Sequence, residues 1–197
     1  MKKHRNYIIY GPGRTGSHWV ELMLIKLFTP PPVFRNMNCT FFPNGWMYHT
    51  NQIQELLEMP DKIRDCTTLI VCERKDYFAT AISHVAALQT DEWHHYTDKP
   101  VAPFHVDPTN FKHILGWLGE SHQTVRSDLM PAYNRMIFID FDSLNSAAVP
   151  EKYVADQLGI EYTPNPEYNA IYKNTRNYKE SILNYDQLVD VHRTICG

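Results

Sequence analysis

A short apolar run, Tyr7-Ile8-Ile9-Tyr10, stops at Gly11-Pro12-Gly13-Arg14-Thr15-Gly16-Ser17, and an apolar pattern of helical period starts directly after it. Few folds place three glycines and a proline in seven residues between a strand and a helix. The arrangement suits a tight turn whose backbone amides converge on an anion. The helix start adds partial positive charge at the same point. The loop therefore predicts an α/β protein with a P-loop-like phosphate-binding turn. Its spacing is that of a Walker A loop without the lysine, because Ser17 follows Gly16 directly. That lysine reaches the outer phosphates, so ordinary ATP hydrolysis is disfavoured. Gly11, Gly13 and Gly16 also match the dinucleotide spacing G-x-G-x-x-G. However, no acidic ribose ligand follows a second strand about 20 residues on.

The rest of the chain fits the same class. Trp19, Val20, Leu22, Met23, Leu24, Leu27 and Phe28 recur at helical spacing, and Pro30-Pro31-Pro32 ends that helix. The stretch from Val33 to Trp46 reads as irregular, Met47-Tyr48-His49 as a short strand, and Ile53 to Met59 as a helical turn or two. Thr68-Leu69-Ile70-Val71-Cys72 is apolar and largely β-branched, as expected of a strand buried on both faces. Asp76 is suited to cap a helix from Tyr77 to Leu88. A helix from Thr109 to Met130, a strand Met136–Ile139, a helix from Ala148 to Leu158 ended by Gly159, and a last helix ending near Ile195 complete the pattern. Alternation of buried strands with helices predicts a three-layer α/β/α fold with a central, mainly parallel sheet. The expected organisation is one domain over 1–197, with an inserted substrate or lid loop at 90–108. In such sheets ligands bind beyond the carboxyl ends of the strands. That brings Gly11–Ser17, the turn around His49, and Arg74–Asp76 to one rim.

Composition narrows the partners. The formal net charge of -3 gives no global field to attract nucleic acid or an anionic membrane, so any anion site must be built locally. No stretch approaches the ~18 apolar residues a membrane span needs. Cys39, Cys66, Cys72 and Cys196 form no CxxC pair and read as reduced thiols, which points to a cytoplasmic protein. The basic start Met1–Asn6 carries no apolar run of signal length.

Arg14-Thr15-Gly16-Ser17-His18-Trp19 resembles the 5′-phosphosulfate-binding loop of sulfotransferases that use 3′-phosphoadenosine 5′-phosphosulfate (PAPS). That loop reads as a basic residue, Ser, Gly, Thr, Thr, Trp. Here Arg takes the basic position and His18 stands where a hydroxyl residue is usual. Thr68–Cys72 followed by Glu73-Arg74-Lys75-Asp76 and the helix bearing Thr80 and Ser83 resembles the same family's 3′-phosphate segment. The chemistry suits it, since Arg offers a planar fork of donors to a dianion. Ser83, with Thr80 second, lies on the same helix face as Asp76. Ile137 to Leu144 is similar to a structural strand and turn of the family.

The resemblance implies a PAPS-dependent sulfotransferase that moves a sulfuryl group to a hydroxyl or amine of a small-molecule or glycan acceptor, with no metal. Gly13, Arg14, Thr15, Gly16, Ser17, His18 and Trp19 would hold the 5′ end of the donor, with Arg14 also stabilising the leaving phosphate. Arg74, with Ser83 or Thr80, would hold the 3′-phosphate. Lys173 and Arg176, in a basic C-terminal run, would close over it. His49 is the expected catalytic base. It lies 25 residues before Arg74, as a family histidine does, although the lysine usual two positions before it is Met47 here. His18 is the rival. Other family members use Glu after the first helix, but Thr29 to Trp46 holds no acidic residue. His94-His95 lacks a spaced third ligand and His84 falls on a helix, so no metal site is expected. Trp93, His94, His95, Tyr96 and Phe104 would either meet the acceptor on a flexible lid or form a plain surface loop. The competing readings are a small-molecule kinase, with Asp140 or Asp142 on magnesium, and a nucleotide-binding protein without activity. The sequence leaves the acceptor and the oligomeric state open.

Overall fold

The structure is a computed structural model that describes residues 6–28, 34–35, 38–91, 102–164 and 178–196. In chain order the elements are β1 (Tyr7–Tyr10), α1 (Ser17–Leu27), β2 (Phe34–Arg35), β3 (Cys39–Phe42), β4 (Gly45–Thr50), α2 (Ile53–Leu57), α3 (Asp61–Asp65), β5 (Thr68–Glu73), α4 (Tyr77–Thr90), α5 (Pro108–Thr124), a π-helical segment (Val125–Leu129), α6 (Met130–Ala132), β6 (Met136–Asp140), α7 (Phe141–Ser146), α8 (Pro150–Leu158) and α9 (Tyr185–Cys196). The chain groups into two compact units, one of residues 1–75 and 123–169, the other of 76–122 and 170–197.

The first unit holds a six-stranded sheet in the order β2-β3-β4-β1-β5-β6. The fold is α/β, and the sheet is mixed but mostly parallel. β4, β1, β5 and β6 run parallel, while β2 and β3 pair antiparallel and join β4 the same way. β1 is buried throughout, as an interior parallel strand must be. Ile8 and Tyr10 pack with Leu69, Val71, Leu56, Val125, Leu129 and Tyr133. The alternate residue Tyr7 stacks on Phe28, just past α1, at 5.3 Å between ring centroids.

Two parts of this unit differ from the sequence reading. The stretch 33–46, expected to be irregular, contains β2, β3 and the start of β4. Cys39-Thr40-Phe41-Phe42 is β-branched and aromatic, a strand composition. The Pro43-Asn44 turn beside it folds the chain back, so that Phe41 faces Trp46. The segment after β6 is a helix, α7, and not only a turn. Asp140 caps it, accepting from the Ser143 amide at 2.7 Å.

That cap yields a prediction. Burial alone would raise the Asp140 carboxyl. Its bonds to Ser143 and the Lys75 ammonium at 3.6 Å instead hold it below the usual range. Stability from a depressed carboxyl is complete above its unfolded value, about 4, and is lost as pH falls through the folded value. Asp140→Ala is expected to lower stability by ~1 kcal/mol at pH 7. The gap from the unsubstituted protein should narrow below about pH 4, which urea unfolding at the two pH values will measure.

In the second unit Asp76 caps α4 as expected, accepting from the Ala79 amide at 2.8 Å. Ile82, Val85, Phe111, Leu115, Leu118, Ile182 and Leu188 form its core. Part of the expected lid is fixed there. The Phe104 amide donates to the Ser181 carbonyl and the Leu183 amide to the Phe104 carbonyl, both at 2.9 Å, and Asn184 pairs with both backbone groups of Val106. Trp93, His94, His95 and Tyr96 lie outside the described residues. Among the described residues no helix is long and apolar enough to cross a membrane. Cys39, Cys66 and Cys72 are free thiols, and burial pushes Cys72 far up, which leaves it unreactive.

Candidate active site at the carboxyl ends of the parallel strands

The glycine loop leaves β1 at its carboxyl end, and its shape depends on missing side chains. A Cβ on Gly11 would come within 2.3 Å of the Thr15 hydroxyl oxygen and 2.9 Å of Ser17 Cβ. Gly16 has φ 82°, the left-handed region that favours glycine, and a Cβ there would meet the Phe141 ring at 2.6 Å. Arg14, with φ 64°, adopts the left-handed region without being glycine, a conformation that concentrates at functional sites. α1 starts at Ser17 with no side chain capping it. Thr15 is 3% exposed, and neither its hydroxyl nor the Trp19 indole nitrogen has a hydrogen-bond partner among the described residues. Orphaned buried polar atoms are rare in folded proteins, and here one lies within this loop and another just past it.

His49 comes to the loop on β4. Its strand lies parallel beside β1, with His49 in register with Ile9, and its backbone amide donates to the Asn38 carbonyl at 2.8 Å. The ring is held at both nitrogens. Nε2 lies 3.0 Å from Ser17 Oγ, and Nδ1 lies 3.0 Å from Glu21 Oε2. The same Glu21 oxygen is 3.0 Å from His18 Nδ1, while Arg35 donates to Oε1 at 3.2 Å. The two imidazoles lie nearly parallel, 22° apart.

Glu21 is 2% exposed, and a buried carboxylate needs such partners. Burial by itself would raise its pKa. The hydrogen bonds from His18 and His49, and their charge, instead hold it down at about 2. When His49 is neutral, an ionised Glu21 accepts its Nδ1–H, and the lone pair of Nε2 then faces the Ser17 hydroxyl. Hydroxyl, imidazole and carboxylate thus stand in the order that activates a hydroxyl by general-base catalysis.

Arg74 follows β5, which pairs parallel with β1, so it emerges on the same rim. Its guanidinium carbon lies 4.8 Å from the Phe141 ring centroid, and Nε stands 3.9 Å from Asp142 Oδ1. That Nε is buried with no hydrogen-bond partner among the described residues. Phe141 also fills the space beside Gly16 and meets Trp19 edge-on, so one ring braces both the loop and the arginine. Asp140 and Asp142, which a kinase reading would place on magnesium, are engaged as a helix cap and as the neighbour of Arg74.

The structure therefore brings Gly13, Arg14, Thr15, Gly16, Ser17, His18, Trp19, His49 and Arg74 into one unit. Thr80 and Ser83 belong to α4 in the second unit. Both are buried, and the Thr80 hydroxyl donates to its own helix at the Asp76 carbonyl, 2.8 Å away. Lys173 and Arg176 lie outside the described residues.

Three residues escaped the sequence reading: Glu21, Arg35 and Phe141. The family acid is expected past the first helix, whereas Glu21 lies inside it, one turn from Ser17. A signal did exist. Ser17, Val20, Glu21 and Leu24 share the buried stripe of α1, and an acid on an apolar stripe demands buried partners. Comparison with family models and with curated proteins finds no match to this chain.

Proposed function

We propose that the chain is a sulfotransferase, moving a sulfuryl group from PAPS to an acceptor hydroxyl or amine, on a three-layer α/β/α fold with a P-loop-like loop. One observation carries this reading. A hydroxyl–imidazole–carboxylate series, Ser17–His49–Glu21, stands at the mouth of a glycine loop on the same rim as a braced arginine. Sulfuryl transfer asks little else of a protein. It needs in-line positioning, charge neutralisation at the leaving phosphate, and a base for the acceptor proton.

The residues fit the donor. The loop amides, Arg14 and the start of α1 hold the 5′-phosphate. The orphaned Thr15 hydroxyl and Trp19 indole N–H supply further donors, and Arg74 takes the 3′-phosphate. Glu21 keeps the proton of His49 on Nδ1. When Ser17 turns its hydroxyl to the 5′-phosphate, the acceptor hydroxyl takes its place at Nε2. His49 accepts the acceptor's proton as the new O–S bond forms. The S–O bond to the 5′-phosphate breaks, and its electron pair leaves with 3′-phosphoadenosine 5′-phosphate (PAP).

The same Ser–His–Glu order favours a second reading, a hydrolase with Ser17 as nucleophile. In that case a fluorophosphonate should label Ser17, whereas a phosphate-holding Ser17 should stay unlabelled.

Thermal unfolding tests the main reading. PAP without magnesium at 100 times its Kd is expected to stabilise by about 2.7 kcal/mol, or about 5–10 °C for a chain of this size. Arg74→Ala should lose most of that shift. No shift with millimolar PAP, or a larger one from ATP with magnesium, would overturn the assignment.

A further inference from the structure

We propose that His18 Nδ1, Glu21 Oε2 and His49 Nδ1 form a binding site for one divalent transition-metal ion of the zinc class. These three residues bring one ligand-type atom each to within 4.8 Å of one another. The proposal does not rest on the sulfuryl-transfer reading and describes a different state of His49, since an ion on Nδ1 puts the proton on Nε2 and blocks that nitrogen as a base.

Two of the three ligand–ligand distances are close to those of an open three-ligand site, and the two imidazole nitrogens stand within 4.8 Å of each other. Zinc takes imidazole nitrogen and carboxylate oxygen at about 2.0–2.2 Å, so ligand atoms around it stand about 3–3.4 Å from one another. Both imidazole nitrogens lie 3.0 Å from Glu21 Oε2. Each nitrogen needs to move from Oε2 by only a few tenths of an ångström to admit the ion, with the two rings turning until their nitrogens, now within 4.8 Å, reach that spacing too.

Two outer atoms of the cluster are also engaged in the way metal ligands require. Arg35 holds Glu21 Oε1, which leaves Oε2 as the single inward oxygen. With Nδ1 on the metal, His49 carries its proton on Nε2 and donates it to Ser17 Oγ, already 3.0 Å away. Such outer hydrogen bonds orient ligands and fix the tautomer of a ligating histidine. All three ligands come from rigid elements. His18 and Glu21 are three residues apart on α1, and His49 lies on the clamped strand β4.

An entry path exists as well. The His18 side chain is 32% exposed and that of His49 19%, whereas Glu21 is sealed at 3%. Three protein ligands on a partly open site leave a fourth position for water or a ligand atom. Imidazole and carboxylate together suit zinc and cobalt and disfavour calcium and magnesium, which prefer an all-oxygen shell.

The test is titration of the metal-free full chain with Co2+, read by visible absorption, and with Zn2+, read by calorimetry. The expected result is the intense ligand-field spectrum of four-coordinate Co2+, saturating at one ion per chain and erased by one equivalent of Zn2+. The chain holds ten histidines, so binding elsewhere is a real competitor and a variant must decide. His18→Ala, at a partly exposed position, should abolish the four-coordinate spectrum and weaken Zn2+ binding by at least about tenfold, the range that even outer-sphere losses reach. Arg35→Gln, at a surface position, should weaken it less while leaving the cobalt bands in place. Circular dichroism confirms that each variant is folded, and His18→Asn replaces His18→Ala if it is not. The pale spectrum of six-coordinate Co2+, or equal Zn2+ affinity in the folded His18 variant and the unsubstituted chain, overturns the proposal.

Discussion

His49→Ala is expected to slow sulfuryl transfer by about 10²–10⁴-fold, the usual share of a positioned general base, while PAP still stabilises the protein almost as before. The imidazole is held at both nitrogens and reaches Ser17, yet the loop that would cradle the nucleotide comes from β1 and α1. Removing the ring therefore takes away the proton acceptor and leaves the anion cradle standing. Three measurements separate this from simple damage. Steady-state turnover should fall with little change in KM for the donor. The PAP-induced rise in unfolding temperature should persist. Free imidazole in the assay should restore part of the rate. Turnover within tenfold of the unsubstituted chain would show that the base lies elsewhere, His18 being the next residue to replace.

Gly16→Ala is expected to destabilise the fold by about 2–5 kcal/mol. A side chain at φ 82° costs about 1–2 kcal/mol. The new methyl carbon also lands 2.6 Å from the Phe141 ring, and forcing extra volume into a packed site costs about 1–3 kcal/mol more. At about 2–4 °C per kcal/mol for a chain of this length, the midpoint should fall by roughly 5–20 °C. The effect should also spread, because Phe141 is the surface on which the Arg74 guanidinium lies. PAP should therefore stabilise Gly16→Ala less than the unsubstituted protein at equal concentration. A shift in midpoint below about 2 °C would show that Phe141 yields easily and braces neither partner.

What the sequence made legible follows from how strongly each segment is punctuated. β1, β5 and β6 are short apolar runs between breakers, and the glycine loop has no ordinary use except as a close backbone approach. Those parts were readable, as were Asp76 at the start of α4 and Gly159, at φ 61°, at the end of α8. The β3–β4 hairpin was not, because Asn, Pro and Gly scattered from 36 to 45 dilute its alternation. Its strand character comes from pairing with β4, a tertiary effect that no local window contains. Glu21 was hidden for a different reason. An acid in a helix usually faces water, and only the fold shows that this one faces two imidazoles and a guanidinium. Phe141 looked like part of a structural turn, and its contact with Gly16 spans 125 positions of chain.

β4 is bonded along both edges, to β3 on one side and β1 on the other. Just past His49, Glu55 accepts from the hydroxyls of both Tyr48 and Thr50, at 2.7 Å and 2.6 Å. Backbone freedom at His49 is thereby all but removed, and only torsion of the ring remains. A molecule presenting its hydroxyl off-axis finds no yielding partner there. On the proposed sulfuryl-transfer reading, tolerance for differently shaped acceptors would then come from elsewhere in the chain, and enlarging that range by engineering would begin at residues other than those around the imidazole.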